Sequence, residues 1–277
     1  MLELLHKAMF ALIAGFSELT FVSTEAHQWL YRTLTGYEMS DSFLSFGIHL
    51  GCLAALLLNC YQRIKYLRSQ KRLHRPGKRR HVRQPDVVAL IDIHILNTAV
   101  VPLMLGLLFR RRAMDWCNGS LGCALALVLN GIVLFVPRLL RSGNKDARSF
   151  TRLDGVLMGI GGVLGIFPGF SRLGCMYSVG TARGAQGHYV LELGILLSIP
   201  VVGALLCMDL YSCTVALAGV TGLQLIGALV AALTAFAGAC AGLKVIRFVC
   251  DHSTATVFAY YSWGLAMFLL LIYLFVS

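Results

Sequence analysis

Charge is scarce in this chain. Only 13% of its 277 residues are Asp, Glu, Lys or Arg, while 57% are hydrophobic. A soluble domain carries about a quarter charged residues, so that class is excluded and an integral membrane protein is implied. Acidic side chains are the scarcer of the two charge signs, 13 against 24 Lys and Arg, which leaves a formal net charge of +11. The nine cysteines show no CxxC or other metal-ligand spacing, which argues against a zinc ribbon or a redox motif and leaves them as small apolar fillers. A cleavable leader is not expected either. The first apolar run, residues 9–16, is brief and is followed by Ser17 and Glu18, so the N-terminus is expected to belong to the mature fold.

What the chain has is apolar length. Residues 43–60, 87–109, 120–136, 189–210, 215–245 and 256–276 form six apolar segments, and about 17–25 such residues suffice to cross a bilayer as a helix. Two further segments, 8–30 and 153–181, are apolar but interrupted by glycine, proline and polar residues. They read as broken or re-entrant helices, which survive at membrane depth only where protein or water covers the freed backbone.

Each broken segment precedes three spans, and three is odd, so the second half enters the membrane from the opposite face. The expected fold is therefore an all-α polytopic membrane protein forming one membrane domain over 1–277. It is an inverted repeat, each half a broken or re-entrant helix pair plus three transmembrane helices, with its site where the broken helices meet. The first repeat covers 1–110 with a basic cytoplasmic loop at 62–86, residues 111–152 carry its third span and a linker, and 153–277 form the second repeat.

Loop charge sets the orientation. Residues 62–86 hold ten of the 24 Lys and Arg, residues 137–154 hold five more, and Lys244 and Arg247 flank the last connection. All three are cytoplasmic if the spans alternate. Arg110-Arg111-Arg112 then falls on the outer side, against the trend. Anionic lipid headgroups explain the basic run, and no nucleic-acid partner is needed.

The two broken segments are chemically complementary. The second holds Pro168-Gly169-Phe170-Ser171-Arg172-Leu173-Gly174, a turn leading into a helix start with a guanidinium, the parts of an anion clamp suited to phosphate. The first offers Glu18, Ser23, Thr24, Glu25 and His27 within ten residues. Carboxylate, hydroxyl and imidazole beside an anion clamp are the parts of a phosphotransfer or phosphohydrolase site. Each has a plainer role: Arg172 as a helix cap or a cross-bundle partner of Glu192 or Asp209, Glu18 as a structural partner of Arg172, His27 as an interfacial imidazole, Glu25 as a solvated carboxylate, and Ser23, Thr24 and Ser171 as partners of broken-helix backbone. His49 and His94 read as packing histidines.

At these residues the chain resembles a known family. Gly15-Phe16-Ser17-Glu18, Val22-Ser23-Thr24-Glu25-Ala26-His27 and the 168–174 run look like the two signature regions of bacterial undecaprenyl pyrophosphate phosphatase, the bacitracin-resistance family. Likeness continues at Ile48-His49-Leu50-Gly51, at His94 through Phe109, and at Leu196 through Pro200 with Asp209-Leu210. The resemblance implies an enzyme of the bacterial plasma membrane that recycles the cell-wall lipid carrier, with a site open to the outer face and a polyprenyl pyrophosphate as substrate. Membrane lipids are its surroundings, and a homodimer is a further expectation. It also implies roles. Gly169, Ser171 and Arg172 hold phosphate; Glu18 is an acid/base or helps place a divalent cation, Mg or Ca; Thr24, with Ser23 beside it, is the hydroxyl nucleophile; His27 is a nucleophile or proton shuttle.

The departures fall on the catalytic side. The family's first acidic or amide residue is Ala14 here, its Thr-Gly before the histidine is Glu25-Ala26, and its Ser-Gly-x-Thr after the arginine is Leu173-Gly174-Cys175-Met176. Two outcomes follow: a rebuilt site in which Glu25 supplies the lost carboxylate, or a silent relative that binds or moves a polyprenyl phosphate. A secondary transporter for a small anion ranks lowest.

Overall fold

The computed structural model describes residues 1–37, 41–73, 86–116, 119–140, 145–216, 220–252 and 255–276. They form helices α1 (Leu2–Glu18), α2 (Thr24–Thr35), α3 (Ser42–Leu73), α4 (Val87–Leu107), α5 (Arg110–Trp116), α6 (Ser120–Leu139), α7 (Arg152–Val163), α8 (Arg172–Ala182), α9 (Gly187–Val215), α10 (Gly222–His252) and α11 (Thr256–Val276), with a 3-10 turn at Leu164–Ile166. Among the described residues there is no strand beyond an isolated bridge between Lys145 and Ala185. Six helices are long and apolar enough to cross a membrane: α3, α4, α6, α9, α10 and α11. The protein is a multi-pass, all-α membrane protein.

The order of elements repeats: a short helix pair, then three long helices. α1 and α2 precede α3, α4 and α6; α7 and α8 precede α9, α10 and α11. Packing exchanges partners between the halves. α1 runs along α10 and α7 along α4, while α3 meets α9 and α6 meets α11. Close approach rests on small residues, as expected where lipid offers no hydrophobic drive for helix association. A Cβ on Gly238 of α10 would lie 2.3 Å from the Leu12 carbonyl oxygen of α1, and one on Gly51 of α3 would lie 2.3 Å from Ala232 O of α10. Gly238→Val is accordingly expected to lower the thermal unfolding midpoint, at a cost of about 1–3 kcal/mol for overpacking. A variant as stable as the parent would show that α1 and α10 are not locked by this contact.

One expectation needs correction. The basic run at 62–86 is not a loop throughout, because α3 continues as helix to Leu73 and carries Arg63, Lys65, Arg68, Lys71 and Arg72 with it. Lys, Arg and Gln are good helix formers, and cations in a last turn meet the negative end of the helix dipole. Residues 74–85 lie outside the described residues. Similarly, His94 is exposed on α4 rather than packed in the bundle.

One end of the bundle is tied by ion pairs. Asp92 is fully buried between Arg63 and the Tyr189 hydroxyl, Asp154 bonds Arg183 and Lys145, and Arg247 bonds Glu192 at 2.8 Å. Along α3, Arg63 is fourteen residues from His49, about 21 Å at 1.5 Å per residue. The broken helices converge at the His49 end.

Candidate active site

Both breaks are closed by serine caps, and the caps hold each other. Ser23 caps α2, its hydroxyl accepting from Ala26 N at 3.3 Å and also from Gly169 N at 3.0 Å. Ser171 caps α8, accepting from Gly174 N at 3.1 Å and donating to the Thr20 carbonyl at 3.0 Å. Each cap satisfies an orphan donor of its own helix, and its second hydrogen bond ties it to the turn of the other half. Asn130 of α6, fully buried, completes the seam: its Oδ1 accepts from Ser171 N at 2.9 Å and its amide donates to Ser262 Oγ at 3.1 Å. Gly169 has φ +107°, and a Cβ there would sit 2.5 Å from Ala126 Cβ, so only glycine lets the turn lie against α6.

This seam brings Glu18, the last residue of α1, to Arg172, the first of α8, although 154 residues separate them. Arg172 Nη2 donates to Glu18 Oε1 at 2.6 Å, and Thr24 Oγ1 donates to Glu18 Oε2 at 3.0 Å. The ion pair is largely enclosed, with side-chain exposures of 12% and 11%. Arg172 Nε–H is buried and has no hydrogen-bond partner among the described residues. An orphan donor of this kind costs about 1–3 kcal/mol, which an anionic ligand would relieve. Of the plainer partners expected for Arg172, Glu192 is taken by Arg247 and Asp209 by His49, whereas Glu18 is the one it meets.

Glu18, Thr24, Glu25, Ser171 and Arg172 line one cleft of about 230 Å³. Three residues not assigned to the site from sequence share it. Arg110 donates to Glu25 at 2.6 Å, and His49 Nδ1 meets Asp209 Oδ2 at 2.5 Å, all four within the cleft wall. Ala14 is fully buried in the core and does not line the cleft, whereas Glu25 does.

Ser23, Gly169 and His27 stand behind it. His27 Nδ1 lies 2.6 Å from the Ser23 carbonyl and Nε2 lies 2.6 Å from the Tyr261 hydroxyl. A carbonyl can only accept, so Nδ1 carries the proton and neutral His27 accepts from Tyr261 through Nε2. Both ring nitrogens are thus occupied in holding the turn next to Thr24. Among the described residues no group of three His, Cys, Asp or Glu forms a protein-only cation cage. Glu18 and Glu25 with a bound polyphosphate fit the other mode, in which Mg²⁺ takes one or two carboxylates and completes its shell with water and phosphate oxygens.

Fold and cleft together define a multi-pass membrane protein with an arginine–carboxylate pair in a polar cleft where two short helix pairs meet. Comparison with known proteins agrees: the chain belongs to the family described as bacitracin resistance protein BacA, whose model matches residues 7–268. It is similar to the undecaprenyl-diphosphatase of Carboxydothermus hydrogenoformans, 25% identical over 94% of this chain and 94% of that protein. The undecaprenyl-diphosphatase of Methanobrevibacter smithii is 24% identical over 97% and 98%. Undecaprenyl-diphosphatase 1 of Shouchella clausii is 26% identical over 73% and 72%.

Proposed function

We propose that the protein hydrolyses undecaprenyl diphosphate to undecaprenyl phosphate and inorganic phosphate, with Thr24 as nucleophile, Glu18 as base and Arg172 as phosphoryl clamp. The single observation that carries this is the chain Thr24–Glu18–Arg172, a hydroxyl bonded to a carboxylate that is itself oriented by a third group. That is the arrangement an activated hydroxyl nucleophile needs.

Thr24 Oγ attacks the terminal phosphorus while its proton passes to Glu18, and the bond from that phosphorus to the lipid monophosphate breaks. Protonation neutralises Glu18, so Arg172 exchanges its carboxylate for the phosphoryl oxygens at the moment their charge must be held. The proton leaves Glu18 with the departing phosphate. Water, deprotonated by Glu18, then cleaves the threonine phosphoester, releases inorganic phosphate and restores the hydroxyl. Ser171 and Gly169 fix the clamp, Ser23 and His27 fix the turn that presents Thr24, and Glu25 supplies a second carboxylate in place of the one absent at position 14. A divalent cation, Mg²⁺ or Ca²⁺, held by Glu18 and the substrate's own phosphates, would neutralise part of the diphosphate charge when bound.

An apolar groove of about 360 Å³, lined by Phe46, Leu50, Leu210 and Leu229, flanks the His49–Asp209 wall of the cleft and suits an isoprenoid tail. The ion-paired, lysine- and arginine-rich end lies opposite the cleft, which supports a cytoplasmic position for that end and an outward-facing site in the bacterial plasma membrane.

Purified protein is expected to release phosphate from farnesyl or undecaprenyl diphosphate, to lose this activity with a chelator, and to regain it on adding Mg²⁺ or Ca²⁺. Release that ignores the chelator removes the cation from the proposal.

A further inference from the structure

The Arg110–Glu25 pair is an unexplained feature of the cleft. Arg110 belongs to the triplet that runs against the loop-charge trend. Glu25 stands where the resemblance expects threonine. Their side chains, 31% and 26% exposed, meet at 2.6 Å in the wall of the cleft that holds Glu18 and Arg172. Arg110 and Arg172 also line a small adjoining recess with Gly165, so the two side chains border the same space. In the free protein each is matched by one carboxylate, and the cleft wall carries three arginines, Arg32, Arg110 and Arg172, against three acids, Glu18, Glu25 and Asp209. Arg32 is engaged differently, its guanidinium 5.5 Å over the Phe10 ring.

We propose that Arg110 is a second phosphoryl clamp that distinguishes a diphosphate from a monophosphate, and that Glu25 holds it ready in the free protein. This rests on the phosphatase assignment and deepens it. A diphosphate carries two phosphoryl groups and engages Arg172 and Arg110 together. A monophosphate engages one guanidinium at a time and leaves the other on its carboxylate. Arg110 exchanges Glu25 for a phosphoryl oxygen of the bound ligand, whereas Arg172 takes one through its Nε–H, unpartnered among the described residues, and keeps Glu18 until Glu18 is protonated. The product therefore binds more weakly than the substrate and departs.

The test is binding, with no turnover required. Affinities for a farnesyl methylene-bisphosphonate and for farnesyl monophosphate are measured on full-length protein in detergent, without and with Mg²⁺. The parent is expected to favour the bisphosphonate by about 10- to 100-fold, the worth of one charge-assisted contact. Arg110→Ala brings the ratio to within about threefold of unity while monophosphate binding holds; Arg172→Ala weakens both ligands. Glu25→Gln, which frees Arg110 from its competitor, tightens bisphosphonate binding several-fold in the measurement without Mg²⁺ and keeps the fold testable if Arg110→Ala does not express. An unchanged ratio in Arg110→Ala, an equal loss of both ligands, or no gain in Glu25→Gln overturns the proposal. A protein that shows the expected ratios yet releases no phosphate would refute the phosphatase assignment alone.

Discussion

Arg172→Ala is expected to lower kcat/KM for a prenyl diphosphate by about 10³- to 10⁵-fold, the range seen when an arginine that meets a transferring phosphoryl group is removed. Two effects combine. The developing charge on the phosphoryl oxygens loses the more enclosed of its two arginines, and Glu18 keeps its charge without the partner that made burial tolerable. Breaking an enclosed ion pair from one side costs about 3–5 kcal/mol, so the unfolding midpoint falls as well. Arg172→Lys separates the two effects. It restores a charge for Glu18 but lacks the planar fork that grips two oxygens, so stability recovers more than turnover does. Phosphate release and thermal unfolding, measured on the same preparations, read both. Full turnover in Arg172→Ala would remove Arg172 from the reaction.

Glu18→Gln and Thr24→Val are the second pair of large effects. Each breaks the hydroxyl–carboxylate contact at 3.0 Å, one at the base and one at the nucleophile. Each is expected to cost about 10²- to 10⁴-fold in kcat, the usual worth of a positioned acid or base. Thr24→Ser keeps the hydroxyl and loses only a methyl group, so it stays within about tenfold of the parent, on the same principle that an equivalent nucleophile preserves the step. The contrast between valine and serine at position 24 matters more than either value. If serine and valine are equally poor, the hydroxyl at position 24 does not carry the step and the attacking group is a water. If both are active, Thr24 has no part in the chemistry.

Much of this was legible in the sequence, for a physical reason. Long apolar helices and turn-forming breaks are local properties. Pro168, Gly169 and Ser171 announce a broken helix wherever they are placed, and Ser23 announces the other. The six spans follow from apolar length alone, and the clamp residue stands out because an arginine is expensive among apolar neighbours. Pairing is different. No spacing rule joins Glu18 to Arg172 across 154 residues; only the repeated order of elements suggested that the breaks would meet.

Arg110 and His49 were passed over because their signals pointed elsewhere. Arg110 counts as a misplaced charge on an outer loop, while Glu25 reads as a replacement carboxylate whose arginine partner no spacing rule reveals. His49 sits among Ile48, Leu50 and Gly51, which read as packing, and its partner Asp209 lies 160 residues away on α9. Asn130, the buried amide that joins Ser171 to Ser262, is a lone polar residue in an apolar span and gives no hint of its partners. The run at 62–73 was taken for loop because its charge was weighed and its helix-forming composition was not.

The central claim is that this cleft, with Ala14 and Glu25 where its relatives differ, still cleaves a lipid diphosphate. Inorganic phosphate released from undecaprenyl diphosphate by the purified protein, with Arg172→Ala as control, tests it most directly. Release well above the control is the predicted result. Lipid binding by the parent protein with release no greater than that of Arg172→Ala would contradict it.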